Sequence, residues 1–432
     1  MAQRFDATAA DFDTQFAAFL EGPRGESEDV ASAVREIIEA VRKEGFAALK
    51  SYTERFDSLS LTETSVAVSQ QEIDAAENQC ATADLEALDF ASNRIRDYHL
   101  RQLPKDERYV DEQGVSLGWR WTPVDSAGLY APGGRAAYPS SVLMNAVAAK
   151  AAGVPRLAMA SPAPNGEMNP LVLAAAKRAG VDEIYRIGGA QSIAALAFGA
   201  GPIAPVSVIA GPGNAYVAEA KRQLFGVVGI DSVAGPSEIL VVADADNDPE
   251  WIAADLLSQA EHDPSSQSVL VTDNVAFADA VERAVQSQLE SRARREIAEA
   301  AWRDNSAIFV VTDLKAAAEI VNEIAPEHLE LAVEDPEALM AHIRHAGAIF
   351  LGRHTPEAIG DYVGGPNHVL PTSRTARFAS GLSPLDFMKR SSILQCDEKS
   401  VAAIGPAAAR LADAEGLPAH AASIRKRLKS DV

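Results

Sequence analysis

Cysteine is nearly absent: Cys80 and Cys396 are the only two in 432 residues, and they lie far apart. Two distant thiols make neither a disulfide framework nor a thiolate zinc site, so a reduced, cytoplasmic protein is expected. Apolar runs of membrane-spanning length are missing as well. The longest candidate, residues 142–160, is broken by Asn145, Lys150 and Arg156. The first residues, Met1 to Ala7, show no basic stretch leading into an apolar one, and no signal peptide is expected. Positive charge is also short. Lys and Arg number 39 against 61 Asp and Glu, a net charge of −22. That argues against nucleic acid or an anionic membrane as partner. It leaves anionic cofactors open, because helix N-termini and backbone N–H groups bind phosphate without a basic surface.

What is present is ordinary globular material, 47% hydrophobic and 23% charged. The length predicts two or three domains. The first hundred residues read as acidic helices, with helical apolar spacing over 30–43 and 70–101. From about Leu129 to Val233, short apolar strands (157–160, 183–187, 206–210) alternate with helices (138–152, 169–179, 191–198, 214–225). A second alternating unit follows a junction near Ala234-Gly-Pro236. Its strands are 239–243, 268–272, 307–311, 329–332 and 348–351, with helices including 251–262 and 275–288. Such alternation predicts an α/β fold of two Rossmann-like parallel-sheet domains, with small helical N-terminal and C-terminal segments. Beyond Ser380 short helices and loops are expected, ending in a basic amphipathic stretch over 421–429. That tail is too short for its own core and must dock elsewhere, another subunit being one such place.

Glycine-rich turns are expected over 128–134, 188–191 and 211–214, at the carboxyl ends of strands, where open sheets bind ligands. Gly211-Pro-Gly213 lies between strand and helix, and Asp231 follows twenty residues later like a ribose partner. Yet Tyr216 stands where a dinucleotide fingerprint has its third glycine. Ligand-free tight turns explain these glycines equally well.

The eight histidines sort by setting. His342, His345 and His99 end helices and read as surface residues. His354 stays open. His262, His328, His368 and His420 sit in polar, turn-like segments. Gln259 and His262 share a helical face by their i, i+3 spacing, so an amide oxygen and an imidazole can converge on one ion. A solvated helix end is the commoner reading of that pair alone. Glu327-His328 offers two bases of different basicity for two proton transfers, against the plainer reading of a charged strand end. The loop 360–372 offers Asp361, and the tail offers Glu415 and His420. Gln259, His262, Asp361 and His420 form a zinc-compatible N/O set, though spacing does not say that they meet.

Seven segments in order resemble histidinol dehydrogenases: 138–146, 211–216, 234–238, 259–262, 325–329, 365–372 and 415–420. The resemblance runs from about Trp119 to His420 and is looser before it. It implies oxidation of L-histidinol through the aldehyde to L-histidine, with two NAD⁺ reduced in turn. It implies one Zn²⁺ per subunit on Gln259, His262, Asp361 and His420. His328 would take the alcohol proton, and Glu327 would activate water in the second step. Ser237, Gln259, His262, His328, Asp361, Glu415 and His420 would contact substrate; Tyr130, Gln191 and Asn214 would contact NAD⁺. The atypical turn is shared by the family, which removes the ribose role from Asp231. A homodimer is implied, with each C-terminal tail completing the partner's site. The expected division is 1–25, an N-terminal helical segment; 26–118 with 236–378, a larger domain carrying the metal and catalytic residues; 119–235, which contacts NAD⁺; and 379–432, the tail. Three rivals remain: a related zinc dehydrogenase for another amino or polyol alcohol, which should lack Glu415; a zinc hydrolase using Glu327 without NAD⁺; and a binding or structural protein with a degenerate site.

Overall fold

The structure, a computed structural model, describes residues 2–22, 28–133 and 138–428. Gly134, Lys429 and parts of the segment 1–25 fall outside them. Two parallel sheets and one small antiparallel sheet form the frame. The first parallel sheet runs, edge to edge, Glu183–Tyr185, Arg156–Ala160, Ser126–Tyr130, Val208–Ala210 and Gly229–Ile230. Its middle strand, Ser126–Tyr130, is buried throughout, although its glycine made the segment read as part of a turn. Gly128 instead serves packing. A Cβ there would stand 3.0 Å from Val206 and 3.1 Å from Leu196.

The second sheet runs Gln3–Asp6, Ala307–Val310, Gln267–Thr272, Glu238–Ala243, His328–Ala332 and Ala348–Leu351, all parallel. The segment 1–25 is therefore not purely helical. Its strand Gln3–Asp6 closes one edge of this sheet, and Phe5 stacks on Phe309 with ring centroids 4.7 Å apart. The helices of residues 28–100 pack on the first sheet. Val34, Ile37 and Leu49 join Ile193, Leu196 and Val217, and Ile73, Leu88 and Ile95 join Leu143, Val147 and Val172. This differs from the expected grouping of 26–118 with 236–378. An amphipathic stripe shows that a helix buries one face, not which sheet receives it.

Chain chemistry sets the helix ends that matter for the site. In Pro249–Ala260, Asp248 accepts from Glu250 N–H and proline fills the first turn. Ile252, Ala253, Leu256 and Leu257 bury the core face. The helix stops at Ala260, two residues before the expected end. Gln259 is thus helical, while His262 follows in a turn whose N–H reaches Gln259 O at 3.1 Å.

After Ser380 the chain is not only helices and loops. Met388–Gln395 pairs antiparallel with Ser116–Pro123, which also pairs with Glu107–Val110. Exposure on both faces of Met388–Gln395 left no alternation to read. Glu398–Ala414 and Pro418–Arg425 then form a helical hairpin packed on itself. Leu394, Leu411 and Leu417 lie exposed on this segment. No helix among the described residues is long and apolar enough to cross a membrane.

Candidate active site

Glu327 and His328 open the strand His328–Ala332, beside the start of Glu238–Ala243. The cluster around them therefore sits at the amino edge of the second sheet, not at the carboxyl ends where open sheets commonly bind ligands. Two helices return to that edge: Pro249–Ala260 delivers Gln259, and Glu357–Tyr362 delivers Glu357 and Asp361.

The geometry is close. His328 Nδ1 lies 2.9 Å from the Glu238 carbonyl oxygen and 3.1 Å from Gln259 Nε2. Its Nε2 faces Asp361 Oδ1 at 3.5 Å. Glu327 Oε2 accepts from Glu238 N–H at 2.9 Å and stands 3.7 Å from His328 Nδ1. Gln259 Nε2 donates to Glu357 Oε1 at 2.8 Å, and Ser258 Oγ to Glu357 Oε2 at 3.0 Å. The ligand atoms of His328, Glu357 and Asp361 all lie within 4.8 Å of one another. A cleft of about 790 Å³ opens beside them, lined by His328, Phe350, Asp361 and His368 among others.

Burial and mutual charge set the protonation. Desolvation raises Glu327 to about 8, with His328 opposing. Desolvation raises Glu357 to about 7 in the same way. Burial alone would lower His328, but the carboxylates of Glu327, Asp361 and Glu357 push it well above the usual histidine range. Asp361 also suffers desolvation, yet His328, His368 and His262 hold it at about 2. A pocket with this surplus of carboxylates suits a cation.

The donor set fits a zinc ion. Gln259 is 1% exposed, and its side-chain oxygen has no hydrogen-bond partner. A buried orphan acceptor needs an explanation, and a metal supplies one. Glu357 holds the amide's other end, as an outer partner orients a ligand. His262 is solvent-exposed as a residue, yet enough protein surrounds its imidazole that desolvation lowers its pKa, against the pull of Asp361. Glu415 and His420 are exposed on the helical hairpin, with no side-chain bond to this cluster. Within one chain, the expected fourth ligand is not brought in. Ser237 directly precedes the strand Glu238–Ala243 and is half-buried.

A second group lies at the carboxyl ends of the first sheet, where its strand order reverses between Ser126–Tyr130 and Val208–Ala210. Tyr130 ends the first of these strands, and its hydroxyl accepts from Gly189 N–H at 3.2 Å. Desolvation lifts its pKa to about 12. Asn214 caps the helix Ala215–Leu224. Gln191 is buried, and its side-chain oxygen has no partner. Gly211, at φ +120°, approaches Tyr130 so closely that a Cβ would stand 2.3 Å from the Tyr130 carbonyl oxygen. Asp231 is bound up within the fold. It pairs with buried Lys221 and accepts from Gly211 N–H at 2.8 Å. That N–H is therefore not offered to a pyrophosphate.

One histidine differs from the expectation, one candidate histidine gains a place, and one glutamate was missed. His99 is fully buried, with Nδ1 2.7 Å from Ile95 O and Nε2 3.2 Å from Asn367 Nδ2. Its place in the last turn of Thr82–Leu100 hid that burial. His368, the one candidate histidine given no role, lines the cleft, with Nδ1 2.9 Å from Asp361 O and Nε2 3.3 Å from Ser141 Oγ. Glu357 gave a signal only in hindsight: it lies four residues before Asp361, one helical turn away.

Gly360 fixes how near that short helix lies. A Cβ there would fall 2.5 Å from the Phe350 ring. If Asp361 holds a metal, Gly360→Ala should push it away and weaken zinc affinity about tenfold, by the yardstick of lost ligand orientation. Chelator competition checks this; wild-type affinity in a folded variant would refute the constraint.

Comparisons with known proteins agree on one relationship. The family model described as histidinol dehydrogenase matches residues 21–428. A histidinol dehydrogenase of Rhizobium meliloti (strain 1021) is 59% identical over 428 residues, covering 99% of each chain. Another, of Rhodospirillum rubrum, is 60% identical over 429 residues, again 99% of each. The crystal structure of histidinol dehydrogenase from Elizabethkingia anophelis superposes with a TM-score of 0.94 at 35% identity, covering 99% of this chain and 98% of that one.

Proposed function

We propose that this chain, which belongs to the histidinol dehydrogenase family, oxidises L-histidinol through L-histidinaldehyde to L-histidine with two NAD⁺. The observation that carries this reading is the buried pair Glu327 and His328, two bases side by side facing Asp361 and Gln259. When bound, zinc would supply a Lewis-acid anchor for the substrate's nitrogens and NAD⁺ would supply the hydride acceptor.

The chain's own groups handle the protons. A carbonyl oxygen only accepts, so His328 Nδ1 carries the hydrogen that meets Glu238 O. With Asp361 committed to zinc, the negative charge that raises His328 would be offset, and Nε2 would then have the lone pair that takes the hydroxyl proton as the alcohol becomes an aldehyde. The second step adds water to the aldehyde. Glu327, steadied by Glu238 N–H, accepts the proton that this water loses. Burial raises its basicity, which suits that task. Gln259, His262 and Asp361 would hold zinc, with His420 of a second subunit as fourth ligand. Ser237, Gln259, His262, His328, Asp361, Glu415 and His420 would hold substrate, and Tyr130, Gln191 and Asn214 the cofactor. On this reading the first sheet is the cofactor side, the second carries the chemistry, and the enzyme works in the cytoplasm.

Separate half-reaction assays test the division of labour. Glu327→Gln should slow aldehyde oxidation about a hundredfold and alcohol oxidation far less. Equal slowing of both would remove Glu327 from its role. The exposed hairpin, with Leu411 and Leu417 open to solvent, supports a homodimer that shares its sites. Inactive His328→Asn and His420→Ala proteins, mixed under subunit exchange, should regain part of the wild-type turnover. No recovery after confirmed exchange would place each site within one chain.

A further inference from the structure

We propose that Glu330 is a positioning residue that holds the zinc-binding side chains in register, an inference that rests on the zinc reading above. Asp361 and Glu357 ride on the six-residue helix Glu357–Tyr362. Its capping residue, Pro356, has no side-chain bond to offer, so the first helical N–H groups need another acceptor. Glu330 supplies one. Its Oε1 accepts from Glu357 N–H at 2.5 Å.

Glu330 lies two residues beyond His328 on the same strand, and so on the same face. Its carboxyl also faces the Asp255 side chain. Asp255 lies one helical turn before Gln259 in Pro249–Ala260. A single carboxyl thus ties together the three elements that present Gln259, His328 and Asp361. Glu330 is only 3% exposed. At the far end of the short helix, Arg94 donates to Val363 O at 2.5 Å and Gly364 O at 3.0 Å. Acid at the start and base at the end both match the helix dipole.

The experiment measures zinc affinity by chelator competition on full-length wild type, Glu330→Ala and Glu330→Gln, with thermal unfolding run alongside. Glu330→Ala should bind zinc at least about tenfold more weakly. Glu330→Gln keeps an oxygen for Glu357 N–H and a donor for Asp255, and should stay within about threefold of wild type. Wild-type affinity in Glu330→Ala, or equal loss in both variants, overturns the assignment. Should Glu330→Ala fail to fold, Asp255→Ala takes its place. It should weaken zinc about threefold, by partial loss of ligand support, and unchanged affinity would overturn the proposal. A wild-type protein that binds no zinc would instead refute the metal reading, and this inference with it.

Discussion

Replacing His328 by asparagine should cut histidinol turnover about a thousandfold while leaving bound zinc in place. His328 is buried at the start of its strand, and its tautomer is set by the Glu238 carbonyl. Asparagine can still donate to that carbonyl, so the local backbone has no reason to move. What it lacks is a basic nitrogen facing Asp361, where Nε2 now stands. Alcohol oxidation loses its proton acceptor and should suffer most. On the proposed roles, aldehyde oxidation relies on Glu327 and should fall less. Stopped-flow measurement of each half-reaction, with metal content by atomic absorption, checks both statements. A variant that keeps more than about a tenth of its activity would mean that another group takes the proton.

Gln259→Ala is expected to have the second large effect, through the proposed metal site. The lost oxygen is the buried one without a hydrogen-bond partner. Outer-sphere partners alone commonly change metal affinity by about tenfold to a hundredfold, so a lost ligand should exceed that. The substitution also strips Glu357 of its amide donor. We expect zinc affinity to fall by more than about a hundredfold, with turnover following metal occupancy. Restoring turnover with excess zinc would confirm that order of events. Unchanged metal content alongside lost activity would make Gln259 a substrate contact only.

The second sheet's four later strands after Glu238–Ala243 were legible almost to the residue, because buried parallel strands read as short apolar runs. The middle strand of the first sheet was not. Gly128 lies inside it, and a glycine in an apolar run reads as a turn until its neighbours are seen. The strand Met388–Gln395 escaped for the opposite reason, since it buries neither face. The helices of residues 28–100 were visible, but not the sheet that they cover. At the site, Glu327 and His328 stood out as adjacent residues of matched chemistry. Their partners come from segments far apart in sequence, and only folding joins Gln259 to Glu357 and His328 to Asp361. Glu330 and Glu357 carry nothing in the sequence that sets them apart from other charged residues. Their burial, not their identity, gives them importance. His420 shows the remaining limit of a single chain. It faces solvent here, and its proposed role needs a second copy.

The measurement closest to the central claim is the yield of NADH and histidine from a limiting amount of histidinol, with and without a zinc chelator. Two NADH and one histidine are expected per histidinol, with both steps lost on chelation and recovered on adding zinc. One NADH with free aldehyde, turnover of a different alcohol in place of histidinol, or hydrolysis without NADH would contradict it.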